Sequence, residues 1–236
     1  MVSKTHKVNI RTLLEKNSLF NCLPDDAFDH ICSGISVIEY GKYKTIAGAN
    51  EPVPGLLVIF SGRVKVFEND LCGNEWIVDT RLEGDICFET SMLDGKPTQA
   101  GVSALTRATV GIINKNLFET FIRPYPKAVE QLALTLCGRV RWALSLEYSR
   151  IGKSAEQRIA AVLQLLAQRN GTSLPDGRRI NASLTQADIA SYALTTRESV
   201  SRFLSKAGKE GLLKTQNRHI ILASSFFKNT FCDSRH

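Results

Sequence analysis

The chain has 236 residues, 43% of them apolar and 22% charged, enough for a packed core in one large domain or two small ones and inconsistent with disorder. No apolar run approaches the roughly 18 residues that a membrane span needs. The net charge of +7 is unevenly placed: residues 1–150 hold 17 basic and 17 acidic residues, residues 151–236 hold 13 and 6. A surplus confined to the last third fits either a solvated basic surface or a nucleic-acid-binding C-terminal portion.

The N-terminal "MVSKTHKVNIRTLLEKNSLF" lacks the apolar core and small-residue cleavage site of a secretory signal, so a cytoplasmic protein with no membrane partner is expected. Residues 8–33 carry apolar side chains at helical spacing, broken near Pro24, with Asp25 and Asp26 suited to the first turn of the next helix. From about 35 to 114 the pattern becomes short strand-like runs, "ISVIEY", "GLLVIF", "RVKVFE", "NEWIVDT", "AGVSALT" and "ATVGII", separated by Gly- and Pro-rich turns. Many short strands of this kind predict a sandwich, barrel or roll.

A short helix over 115–124 ends at Pro124 and Pro126, and residues 127–152 then predict one long helix. Val129, Leu132, Leu136, Val140, Ala143 and Leu146 step by three or four along it, an apolar stripe for packing against its own domain and against a second copy. Residues 154–168 predict a further helix capped by Ser154, followed by a loop, "NGTSLPDGRRIN", with room for a short hairpin.

"LTQADIASYA" then predicts a short helix with Thr185 as N-cap and Asp188 as a partial capping box. After a tight turn, Thr195 or Thr196 caps "RESVSRFLSKAGKE", in which Val200, Phe203 and Leu204 face inward. Arg197, Glu198, Ser201 and Arg202 share the outer face. Gly211 stops this helix, and two strands follow around "TQNRH". Two short helices, a turn and a wing of strands describe a winged helix-turn-helix. Its polar face suits base reading: arginine donates twice to guanine, glutamate accepts from cytosine, and hydroxyls serve phosphates or bases. The plainer alternative is a solvated helix with an intrahelical Glu198–Arg202 pair, worth about 0.2–0.5 kcal/mol.

"TTRESVSR", "LTQADIASY", "VIFSGRVKVFEND" and "LEGDICFE", in this order, resemble the CRP/FNR family of bacterial transcription regulators over about residues 15–225. The resemblance implies an α+β fold. An N-terminal double-stranded β-helix, the cyclic-nucleotide-binding-like roll, would occupy 1–126 as the effector-sensing domain. A long dimerisation helix would span 127–152, and a C-terminal winged helix-turn-helix 153–236. It implies that Arg197, Glu198, Ser201 and Arg202 read base edges and that Thr185, Gln186, Thr196 and Ser199 hold phosphates. The implied partners are double-stranded DNA, as an inverted repeat with TGA-containing half-sites, a second copy of the chain, and RNA polymerase.

The chain departs from the family at several points. Leu194 stands in the turn where glycine is frequent. In the cyclic-AMP-binding members a glycine–glutamate and an arginine–serine or arginine–threonine pair cradle the phosphate; here these positions read Phe88-Glu89 and Thr98-Gln99. Cyclic AMP binding in the usual way is therefore not expected. Phe88, Glu89, Thr98, Gln99, Arg139 and Trp142 are the expected lining of an effector pocket between roll and long helix. Cysteines at 22, 32, 72, 87, 137 and 232 contain no C-x-x-C, and the four histidines do not cluster. No metal site is expected, and the spacing does not support an iron–sulfur cluster. Haem, for which His30, Cys72 and Cys87 are conceivable ligands, is not supported by spacing either. Cys22, Cys87 and Cys137 are weak candidates for a redox switch. No nucleophile–base pair or phosphate loop marks an enzyme. A regulator switched by an effector or redox signal in the roll is the leading expectation, and a ligand-independent DNA binder the alternative.

Overall fold

The structure is a computed structural model that describes residues 9–69, 73, 75–181, 184–216 and 219–228. Three short helices come first, α1 (Ile10–Leu14), α2 (Ser18–Asn21) and α3 (Asp25–Gly34). The side chains of Asn9 and Asn17 cap the first two by accepting from the amides of Thr12 and Leu19, and Asp25 and Asp26 occupy the first turn of α3.

Strands β1 (Ser36–Tyr40), β2 (Thr45–Ala47), β3 (Leu56–Ser61), β4 (Val64–Asn69), β5 (Glu75–Arg81) and β6 (Ile86–Cys87) follow, then α4 (Glu89–Asp94), β7 (Gly101–Ala104) and β8 (Ala108–Ile113). They form two antiparallel sheets, ordered β1-β8-β3-β6 and β2-β7-β4-β5. The continuous apolar run of β3 serves two cores. Leu57 and Ile59 pack between the sheets with Val64, Val102, Ala104 and Val110, while Leu56, Val58 and Phe60 pack outward on the helices. The roll expected from the resemblance is thus present. β2, β6 and α4 are additions to the strands and helices read from the sequence.

Helix α5 (Lys115–Phe121) and the long α6 (Pro126–Tyr148) complete this part. Pro126 begins α6 rather than interrupting it, because the first helical residue needs no amide donor. The chain forms one compact unit up to Arg139 and a second from Val140, with the boundary inside α6.

The second unit holds α7 (Ala155–Asn170), β9 (Gly171–Leu174), β10 (Gly177–Ile180), α8 (Gln186–Tyr192), α9 (Arg197–Lys209), β11 (Leu213–Gln216) and β12 (His219–Ala223), with a 3-10 turn at Ser224–Phe227. The loop after α7 is a hairpin, and it joins the wing in one antiparallel sheet ordered β11-β12-β10-β9. Gly211, at φ +70, turns the chain out of α9 as read.

The apolar stripe of α6 divides within the single chain. Leu132 and Leu146 are buried within the single chain, Val129 and Leu136 are half-buried, and Val140 and Ala143 are exposed. The large apolar side chains left open are Leu134, Val140, Leu144 and Tyr148, with Ile151 just beyond the helix. A helix with apolar residues on more than one face offers several stripes at the same period, and periodicity alone does not say which one its own domain covers.

Candidate nucleic-acid interface and the roll interior

Two caps fix the start of each short helix. Thr185 accepts from the amide of Asp188 at 3.1 Å, and the Asp188 carboxylate accepts from the Thr185 amide at 2.8 Å, a complete capping box despite the short aspartate. Thr196 Oγ1 accepts from the Ser199 amide at 3.2 Å and lies 3.1 Å from Ser199 Oγ. Val200, Phe203 and Ala207 are buried under α9 and Leu204 is half-buried. Arg197, Glu198, Ser201 and Arg202 are exposed together, and so are Ser205, Lys206 and Lys209, which continue the same face toward the helix end. The sequence reading does not single these three out, although Ser205 and Lys209 stand at i+4 and i+8 from Ser201 and Lys206 at i+4 from Arg202. Among the described residues no ion pair joins Glu198 to Arg202. Arg202 Nη2 instead lies 3.4 Å from Ser199 Oγ, which leaves the Glu198 carboxylate and most of the Arg202 donors open to solvent.

A helix of thirteen residues is about 20 Å long. It presents Arg202, Lys206 and Lys209 beyond the first turn, Lys206 being paired with Glu156 at 3.0 Å, and Arg197 at its start. That combination can donate to base edges and phosphates in a major groove about 12 Å wide. Thr185 and Gln186 stand at the start of α8, Thr185 exposed and Gln186 half-buried.

The turn between α8 and α9 ends α8 in a Schellman motif. The Thr195 amide donates to the Ala190 carbonyl at 3.0 Å, the Leu194 amide to the Ser191 carbonyl at 3.4 Å, and Leu194 takes φ +48. Leucine there costs about 1–2 kcal/mol, since only glycine enters this region freely. Three carbonyls are left over, and two arginines take them. Arg150 Nε donates to Tyr192 O at 2.9 Å, Arg158 Nε to Ala193 O at 2.9 Å, and Arg158 Nη2 to Leu194 O at 2.9 Å. Arg158 Nη1 also holds Lys153 O at 3.0 Å. Burial lowers the pKa of the half-buried Arg150, and its Nη2 is buried without a partner.

In the roll, Glu89 and Arg139 meet in an ion pair in which Glu89 is 2% exposed, and Arg139 Nη2 donates to Ile86 O at 2.5 Å. Arg81 and Asp79, both buried on β5, form a second pair. Burial and the neighbouring Arg81 lower Arg139 to about 10. Burial acts to lower Arg81 too, but Asp79 beside it holds it above its ordinary value. Burial pushes the Cys87 thiol up.

Phe88 sits at the start of α4 with φ +70 and is buried in the core between the sheets. Thr98 is occupied locally, its hydroxyl donating to Ala100 O at 2.9 Å, and Gln99 is exposed. Trp142, in the second unit, packs edge-on against Tyr192 at 6.5 Å and under Arg169 at 4.3 Å, which buries its large aromatic surface. The charges of Asp79 and Arg81 were missed; opposite charges two apart on a strand, in line with Ile77, were the available signal.

At the positions that the resemblance assigns to a cyclic phosphate stand Phe88, Glu89, Thr98 and Gln99, none of them an arginine, and Phe88 is buried in the core between the sheets. Among the described residues no group of three His, Cys, Asp or Glu could hold a metal ion. His30 stacks on Phe121 at 4.5 Å on the surface, and Cys72 lies outside the described residues. Among the described residues no helix is long and apolar enough to cross a membrane.

The architecture is that of a two-part DNA-binding regulator, a roll followed by a winged helix-turn-helix. A profile of the cyclic nucleotide-binding domain matches residues 37–125, and one of the Crp-like helix-turn-helix domain matches residues 157–224. The chain belongs to the CRP/FNR family of transcription regulators. It is 24% identical over 213 residues to a CRP-like cAMP-activated global transcriptional regulator of Mycobacterium tuberculosis, covering 90% of this chain and 95% of that protein. It is 26% identical over 197 residues to electron transport regulator A of Shewanella oneidensis, covering 84% of this chain and 78% of that one. The fold matches that of FixK2 from Bradyrhizobium japonicum with a TM-score of 0.71 and 21% identity, over 86% of this chain and 99% of that one. These relatives are transcription regulators and not enzymes.

Proposed function

We propose that the chain works as a homodimer that reads an inverted repeat with TGA-containing half-sites through α9, and that RNA polymerase is its downstream partner. The exposed row of Arg197, Glu198, Ser201 and Arg202, held by the Thr196 cap, carries this reading. Thr185, Gln186, Thr196 and Ser199 serve the phosphates, and Lys206 and Lys209 extend that role. The open apolar side chains Leu134, Val140, Leu144 and Tyr148 supply the dimer contact. The roll does not take cyclic AMP in the usual way. Its signal is a polar effector near Glu89 and Arg139, where the unpartnered Glu89 Oε2 and Arg81 Nε supply hydrogen-bonding capacity; a redox signal is the other source, and the buried Cys87 does not serve it directly.

Selection of bound sequences from random duplex DNA, with and without oxygen, tests the proposal. A TGA-containing inverted repeat supports it. No enriched site in either condition, from protein that a scattering measurement shows to be dimeric and folded, overturns it. A second reading, effector-independent DNA binding, is favoured by the Phe88 ring in the core of the roll. Recovery of the same site with the same affinity from protein stripped of small molecules by unfolding and refolding selects that reading.

A further inference from the structure

The Schellman motif satisfies the carbonyls of Ala190 and Ser191 and leaves those of Tyr192, Ala193 and Leu194 at the C-terminal end of α8. This end carries the negative pole of the helix, where cations are favoured. A guanidinium is planar and forked, so one Arg158 spans Ala193 O and Leu194 O at 2.9 Å each while reaching Lys153 O at 3.0 Å. Arg150, just past the long helix, holds Tyr192 O at 2.9 Å. Leu194 sits between these anchors at φ +48, a conformation that a leucine keeps only when its surroundings over-determine it. α9 begins directly after this turn, so the direction in which Arg197 and Arg202 leave the surface depends on it.

We propose that Arg158, assisted by Arg150, is a positioning residue for DNA recognition: it clamps the carbonyls of the helix-turn-helix turn and so holds the strained Leu194 and the orientation of α9. The role rests on the DNA-reading function proposed for α9. A lysine cannot replace it, having a single ammonium where two carbonyls and a third at Lys153 must be met in one plane. A glycine at 194 removes the need for it, since glycine occupies the left-handed region at no cost.

The test compares wild type, Arg158→Lys, Arg158→Ala, Leu194→Gly and Arg158→Ala/Leu194→Gly. Affinity is measured for the selected inverted repeat and for random duplex, and amide exchange is followed at Leu194 and Thr195 without DNA. Arg158→Lys is expected to lose at least tenfold in specific affinity, with less than a threefold change on random duplex, and to exchange faster at both amides. Arg158→Ala/Leu194→Gly is expected to regain most of the specific affinity that Arg158→Ala loses. If Arg158→Ala does not fold, Arg158→Lys and its Leu194→Gly double variant carry the comparison. Equal losses on both DNAs, or no recovery with Leu194→Gly, overturn the proposal and make Arg158 a phosphate contact or a packing residue. If the wild type shows no sequence preference, the DNA reading itself fails, and faster exchange in Arg158→Lys then leaves the clamp as a feature of the turn alone.

Discussion

The carboxylate of Glu89, 2% exposed, is held by the guanidinium of Arg139 from the middle of the long helix. Removing one partner of such a pair leaves a buried charge without compensation, which typically costs about 3–5 kcal/mol, whereas replacing both by apolar groups is often neutral. Arg139→Met is therefore expected to lower unfolding stability by about that much, and Glu89→Leu/Arg139→Met to recover most of it. Denaturant unfolding of wild type, Glu89→Leu, Arg139→Met and the double variant checks this. Simple addition of the two single losses contradicts the coupling.

Cys87 gives a pH prediction. Burial raises its thiol above the ordinary value of 9.0 in the folded chain. The folded state therefore keeps the proton longer than the unfolded one. The stabilising contribution is full below the unfolded value and is lost as pH rises through the folded value. Arg139 acts in the opposite sense: burial lowers its folded value to about 10, below its ordinary value, so its contribution falls away as pH drops through about 10. Comparing wild type with Cys87→Ala isolates the thiol. The variant is expected to lose less stability between pH 8 and about pH 10. Alkylation of Cys87 is expected only after unfolding, and rapid labelling in the native protein would show that the residue is accessible.

Arg202→Ala is expected to cost about 1–3 kcal/mol on the selected site and to relax preference at one base pair. An equal loss on random duplex assigns Arg202 to phosphates. Lys209→Ala is expected to weaken both DNAs alike and to reduce the salt dependence of binding by about one counterion.

How far these assignments were readable depends on the range of the interactions. The caps at Thr185 and Thr196, the stop at Gly211 and the buried pair Val200 and Phe203 follow from chemistry within one helical turn, and each was legible. β6 has two residues and β2 three, too short for an alternation to register. Arg158 gave no signal at all: one arginine on an amphipathic helix looks like any other until the turn 35 residues away supplies its acceptors. The partners of Trp142, Tyr192 and Arg169, were hidden in the same way, since both are distant in the chain.

The open face of α6 separates two kinds of variant. Leu144→Glu, at a side chain 52% exposed in the single chain, is expected to shift the protein from dimer to monomer with little effect on monomer folding. Leu132→Ala, at a side chain fully buried in the first unit, is expected to lose about 2–5 kcal/mol of stability and to leave assembly intact. Sedimentation and thermal unfolding distinguish them. A dimer unchanged by Leu144→Glu moves the interface elsewhere.

Saturating cyclic AMP is expected to leave both melting temperature and DNA affinity unchanged, because Phe88 fills the roll interior and Thr98 carries no charge. A clear rise in either, measured by thermal shift and by fluorescence anisotropy, would mean that Phe88 leaves the core to admit the ligand.

The sheet of the second unit has a kinetic consequence. β10 precedes α8 and α9 in the chain and β12 follows them, yet the two strands are paired, with Arg178 opposite Leu222 and Arg179 opposite Ile221. The whole recognition element is thus a loop closed by its own sheet, and the closure entropy falls due before the pairing can reward it. A nascent or partly unfolded chain can form α8 and α9 locally and still lack the surface that meets DNA. Competence for the operator then arises in one late step, when β12 docks, and a chain truncated within β12 is expected to retain helix but show no sequence preference.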